Sequence, residues 1–296
     1  MTPDQSTSTV PETSDPQRWP EIVVRFADLY HELRDQTLGR TRWLGITIVK
    51  APTDLVILQE IIAETRPDMI IETGVLAGGS TYYMATLLDL LGIDGQVVGI
   101  DVDLSAVNPH IANHPKVDLI QGSSTDPDVV EAIRERAHGR RVMVDLDADH
   151  SAEHVGRELR ALAPLVTPQC YLVVEDTWIG RAVRFDQGRG PADALDEWLA
   201  EGQPFEVDRW RERLLLTHNA GGYLRRLSDD DAGPGGPPRL DRFFVPPLDG
   251  EVDTSAEDER VTAEQLARDR HQAEYDELRA YARRLESELE RLRASR

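Results

Sequence analysis

The sequence predicts an α/β protein built on a doubly wound, mostly parallel sheet, and two observations predict it. Five short runs are apolar along their length, at 69–72, 96–101, 117–122, 141–147 and 170–175, and segments of helical period separate most of them, which is the spacing of βαβ units. The runs also lack the polar alternation of a strand with one solvated face, so helices must cover both sides of the sheet.

The elements follow in order. Residues 1–17 are rich in Ser, Thr, Pro and Asp with almost no large apolar group, and form a disordered tail. Val23, Val24, Phe26, Ala27, Tyr30 and Leu33 recur at helical spacing over 22–33, and Leu55, Leu58, Ile61 and Ile62 do so over 53–64. The nonperiodic stretch from Arg42 to Pro52 between them reads as a loop. Met69-Ile70-Ile71-Glu72 is the first strand, Ser80 to Leu91 a helix, and Gln96 to Asp101 a second strand that again ends in an acid. Then come a strand from Val117, a helix over 128–137, a strand from Arg141 to Asp147, a helix over 151–165, a strand from Cys170 to Glu175 and a helix over 191–201. Phe205 to Asp208 and Leu214 to Thr217 are expected to close the domain as a hairpin, with Gly221-Gly222 turning into Tyr223-Leu224. The main domain therefore runs over 18–227. A Pro/Gly/Asp-rich linker follows over 228–258, then an amphipathic helix over 259–296. Tyr275, Leu278, Ala282, Leu285, Leu289 and Leu292 make a narrow stripe on that helix, suited to a coiled coil or to lying on its own domain.

Composition narrows the class of function. The chain has 296 residues, 54 Asp plus Glu against 33 Lys plus Arg, one cysteine and a formal charge of -21. A surface this negative repels phosphate backbones and anionic bilayers, so neither nucleic acid nor membrane is expected as a partner. Cys170 alone excludes an internal disulfide framework and points to a reducing compartment; with no secretion-like N-terminus and no long apolar span, a cytoplasmic protein is expected.

Chemistry gathers at the strand ends. Glu72-Thr73-Gly74-Val75-Leu76-Ala77-Gly78-Gly79-Ser80 joins a strand to a helix, so its glycines and N–H groups can hold an anionic or polar ligand part. Its glycines do not match GxGxxG. Asp101 ends the next strand, where a carboxylate accepts both hydroxyls of a ribose, a device of both NAD and S-adenosylmethionine sites. Ser123 and Ser124 after the third strand are placed to line an adenine pocket. At the ends of the fourth and fifth strands, Asp145, Asp147, Asp149 and His150 face Glu175 and Asp176. So many carboxylates need a compensating cation, and hard oxygen donors without thiolates favour Mg²⁺, with Mn²⁺ or Ca²⁺ as substitutes. A metal there could lower the pKa of an acceptor hydroxyl, with His150 removing the proton. The alternative for Asp145 and Asp149 is helix capping. Trp43, Lys50, Trp178, Arg181 and Arg184 belong to cofactor-side loops that could close over the acceptor, His154 reads as structural, and His218 shows no partner pattern.

These motifs, together with Trp43-Leu44-Gly45, Lys50-Ala51-Pro52-Thr53-Asp54, Glu175-Asp176-Thr177 and Asn219-Ala220-Gly221-Gly222-Tyr223-Leu224, resemble the cephalosporin hydroxylase / rhamnosyl O-methyltransferase family over about residues 20–227. The resemblance implies a Rossmann-like class I methyltransferase that uses S-adenosylmethionine and a divalent metal to methylate a sugar hydroxyl, in a glycosylated natural product or an oligosaccharide. It implies Glu72 and the glycine turn, with Gly74, Gly78, Gly79 and Ser80, at the methionine portion, Asp101 at the ribose and Ser123 or Ser124 at the adenine. It further implies Asp147, Glu175 and Asp176 as metal ligands, with Asp149 replacing Asp147 if the shorter interval of some relatives applies, and His150 as general base. Self-association into a homo-oligomer is expected. Two rival functions are a hydroxylase or oxidoreductase of secondary metabolism, against which the lack of an iron-binding triad argues, and a non-catalytic S-adenosylmethionine-binding partner module.

Overall fold

The computed structural model of the protein describes residues 19–178 and 189–228. The expected tail, linker and C-terminal helix, and Arg181 and Arg184, lie outside the described residues.

Helix α1 (Trp19–Glu32) leads into a small hairpin of β1 (Arg42–Trp43) and β2 (Ile46–Thr47), then α2 (Pro52–Thr65). The main sheet takes β3 (Met69–Thr73), β4 (Gln96–Asp101), β5 (Val117–Gln121), β6 (Val142–Leu146), β7 (Tyr171–Val174), β8 (Phe205–Val207) and β9 (Tyr223–Arg226). Its spatial order is β5-β4-β3-β6-β7-β9-β8. The first five of these in space are parallel; β9 runs antiparallel to β7, and β8 antiparallel to β9. The connecting helices are α3 (Gly79–Leu90), α4 (Pro109–Ala112), α5 (Pro127–Ala137), α6 (Ala152–Leu162) and α7 (Pro191–Ala200).

Strand period divides the buried side chains into two cores. Met69 and Ile71 of β3, with Val142 and Val144 of β6, pack under α5, α6 and α7 through Ile133, Leu159 and Trp198. Ile70 and Met143, facing the other way, pack under α2 and α3 through Leu58, Ile61, Met84 and Leu88. Both faces are thus covered, as the uninterrupted apolar runs require. The helix starts are written locally: Pro52 and Pro127 occupy first-turn positions where no N–H is missed, Asp126 accepts from Asp128 N–H and Ser151 from His154 N–H.

The structure corrects two local expectations. The stretch after Arg42 is a hairpin, pairing Arg42 with Thr47 and Trp43 with Ile46. Leu44 and Gly45 at its tip both have positive φ, 47° and 87°, the backbone of a tight two-residue turn. Residues 214–217 are not a strand. Phe205–Val207 pairs instead with Tyr223–Arg226, while Leu214 and Leu215 are exposed and Leu215 takes a φ of 70°, which no ladder accommodates.

The chain leaves β3 for β4 and β5 on one side, then returns to lay β6 and β7 on the other. That reversal makes the C-terminal end of β3 the switch point where such sheets open a crevice, and a cleft of about 850 Å³ lies there.

Candidate active site

The glycine turn forms one wall of the cleft. Gly74 (φ +82°) lies so close to β6 that a Cβ there would sit 1.9 Å from the Asp147 carbonyl oxygen, and a Cβ on Gly79 would sit 2.2 Å from that of Thr47. Asp101 fastens this turn: its Oδ2 accepts the Val75 and Leu76 N–H groups at 2.8 and 2.9 Å, and its Oδ1 that of Asp103 at 3.0 Å. Gly74, Gly79, Ser80, Asp101, Ser123 and Ser124 all border the cleft. Gly78 and Glu72 do not. Glu72 is fully buried beneath the turn, where Thr81 donates to its Oε2 and its Oε1 meets no donor among the described residues. Burial raises its pKa to about 8, against the opposing pull of the Lys50 charge. Ser124 donates to Glu158 at 2.6 Å and lies 3.1 Å from His154 Nε2. His154, expected to be structural, therefore stands on the cleft wall, and its pKa is raised, chiefly by its hydrogen bond to Glu158.

The opposite wall carries the acids, and register brings them together. Leu146 of β6 pairs with Val174 of β7, so the next residues along, Asp147 and Glu175, emerge side by side. Between them lies Lys50, which is 3% exposed. Its Nζ is 2.6 Å from Glu175 Oε1, 2.9 Å from Asp147 Oδ2 and 3.8 Å from Asp145 Oδ2. Burial alone would pull the Lys50 pKa down, but the charges of Asp147, Glu175 and Asp145 outweigh it and hold it well above the usual value. Burial also raises the three acids, Asp147 to about 6, with Lys50 opposing in each case. Asp145 is wholly buried within β6 and caps nothing.

Asp176, the next residue, takes the left-handed backbone region at φ 54° and lines the same cleft. Its Oδ2 lies 3.2 Å from His150 Nε2, and its Oδ1 accepts from Trp178 Nε1 at 2.8 Å, with His218 Nδ1 3.8 Å away. His218 stacks on Trp178 at 4.6 Å and 22°. Trp178 is thus buried behind Asp176, and Trp43 donates to Thr86 away from the cleft; neither is a free face over an acceptor. Asp149 is exposed and accepts from the Ser151 N–H at 2.8 Å; bonding to Ser151 lowers its pKa. Exposed Val49, Leu76 and Val102 give the cleft an apolar lip.

Among the described residues, Asp147, His150 and Asp176 each offer a donor atom within 4.8 Å of the others. The carboxylates of Asp147 and Asp176, partly exposed on an open cleft, suit a hard divalent cation that keeps some water, with the His150 imidazole at its edge. Asp149 and Glu175 are outside this group, the first engaged at the start of α6 and the second on Lys50. Sequence reasoning placed Lys50 in a loop and missed His218. The one signal for Lys50 was its position in the apolar stretch Ile48-Val49-Lys50-Ala51 directly before a helix; His218 had none.

Residues 35–227 match the family model described as rhamnosyl O-methyltransferase/CmcI. The rhamnosyl O-methyltransferase of Mycobacterium tuberculosis is 35% identical over 192 residues, 63% of this chain and 78% of that protein. That of Mycobacterium leprae is 33% identical over 191 residues, covering 63% and 83%. Two solved CmcI structures, one apo and one with Mg and SAM, are each 25% identical and cover 64% of this chain, with 77% and 78% of their own chains and TM-scores of 0.53 and 0.51. With its Rossmann-like sheet, its glycine turn and this extent of match, the chain belongs to the rhamnosyl O-methyltransferase/CmcI family.

Proposed function

We propose that this chain is an O-methyltransferase that uses S-adenosylmethionine and a divalent metal, Mg²⁺ first, to methylate a sugar hydroxyl of a glycosylated natural product or an oligosaccharide. The observation that carries the reading is the convergence of Asp147, His150 and Asp176 on the same cleft as the glycine turn. When bound, the cofactor supplies an electrophilic methyl group and the metal favours the ionised form of an oxygen it touches. The chain's own residues do the rest. The turn from Gly74 to Gly79, held by Asp101, offers a preformed wall to the cofactor, and Ser123 and Ser124 lie at its adenine side. Asp147 and Asp176 would hold the metal, with Glu175 beside them as a further carboxylate. His150 Nε2 takes the acceptor proton, and Asp176 orients its ring and offsets the charge it gains. No covalent enzyme intermediate is needed, because aligning donor and acceptor supplies much of the acceleration.

The test is mass spectrometry for a gain of one methyl across deoxysugar glycosides, mannosides and glucosides, with S-adenosylmethionine and Mg²⁺. Activity should vanish in excess chelator and return with Mg²⁺. Full activity in chelator would refute the metal; product formation that requires iron and adds oxygen would favour the hydroxylase reading.

A further inference from the structure

Lys50 is the cation that the acid cluster already contains. Its ammonium is buried and contacts three carboxylates from two strand ends, yet it spends only one oxygen each of Asp147 and Glu175 in the closest contacts. The residue is held in place from both sides. The β1–β2 hairpin docks through the Trp43 hydrogen bond to Thr86 of α3, and α2 begins two residues later, anchored where Asp54 accepts the His218 N–H and the Tyr223 hydroxyl. Lys50 is thus delivered by the segment 42–54, whose position depends on both α3 and β9, and not by a free loop.

Like charges this close and this dry would push β6 and β7 apart at their tips without a cation between them. We propose that Lys50 is a positioning residue: a permanent counter-cation that keeps the strand tips together, and Asp147 in place beside Glu175, when no metal is bound. This rests on the metal-dependent reading of the site, and deepens it. Lys50 itself touches no reacting atom.

The test compares thermal melting of the full chain, in chelator and in saturating Mg²⁺, for wild type, Lys50→Met, Glu175→Gln and the double variant. Methionine keeps the apolar stem and removes the charge. In chelator, Lys50→Met should melt about 10 °C lower, the scale of an uncompensated buried charge in a domain of this size. The double variant should regain at least half of that loss, because one carboxylate leaves with the ammonium. The Mg²⁺-induced rise in melting temperature should be larger in Lys50→Met than in wild type, since the dication then supplies the missing charge; a residue that merely packs would shift both melts equally. An unchanged melt for Lys50→Met, a double variant no better than the single, or equal Mg²⁺ increments would each overturn the proposal. Should Lys50→Met fail to fold, the double variant decides: recovery supports charge compensation, and failure overturns it. If Mg²⁺, Mn²⁺ and Ca²⁺ all leave wild type unmoved, the metal reading fails, while the cycle in chelator still decides whether Lys50 balances the acids.

Discussion

His150 stands 3.2 Å from Asp176 on the cleft side, apart from the turn that Asp101 fastens. The proton transfer and cofactor binding proposed above should therefore separate by mutation. His150→Ala should lower kcat by roughly 10²- to 10⁴-fold while leaving S-adenosylmethionine affinity nearly unchanged, by steady-state kinetics and calorimetric titration; loss of cofactor affinity instead would place the histidine in the wrong pocket. Glu72 makes a different prediction. Its carboxyl is raised from 4.5 to about 8 by burial, so the folded state binds that proton more tightly than the unfolded chain. Its contribution is fully present below about pH 4.5 and is lost as pH rises through about 8; Asp147, raised to about 6, adds to the lower part of the slope. Melting of the metal-free protein should fall across that window, and Glu72→Gln should flatten the fall by a share of up to about 5 kcal/mol. An identical pH profile in the variant would refute the assignment.

The turn between β3 and α3 makes a prediction at the scale of elements. An alanine methyl at Gly74 would meet the Asp147 backbone, whereas one at Gly92, also at positive φ (59°), would meet nothing within 4 Å. Gly92→Ala should cost about 1 kcal/mol of backbone strain. Gly74→Ala should cost about 3 kcal/mol or more and weaken Mg²⁺ and S-adenosylmethionine binding together, because the turn and the Asp147 tip share that contact. Retained metal affinity with lost cofactor affinity would show the two walls to be independent. The same scale shows what could be read from sequence. The buried strands and amphipathic helices were legible because their apolar positions repeat over many residues. Two-residue strands such as Arg42–Trp43 repeat nothing, and the run Leu214-Leu215-Leu216 imitates a strand without pairing as one. The carboxylates at 147, 175 and 176 were legible as strand-end acids. Their partner Lys50 was not, since nothing near it in sequence announces a carboxylate 97 residues away.

For the molecule as a whole, the three- and four-residue spacing of apolar residues in the sequence from Tyr275 to Leu292 makes self-association the expectation to test. Light scattering at high concentration should show a dimer or larger species, and a monomer would contradict it. The order of the sheet bears on how the chain is made. Among the described residues, strand β8 pairs only with β9, which is built after it yet lies between it and β7. During translation, then, the outer edge of β7 stays open and β8 has nowhere to dock until the residues around Arg226 have cleared the ribosome. Asp54, which waits for His218 and Tyr223, cannot be satisfied any sooner. A nascent chain halted before that point would carry its acids on a sheet that still lacks the β9 pairing beside β7.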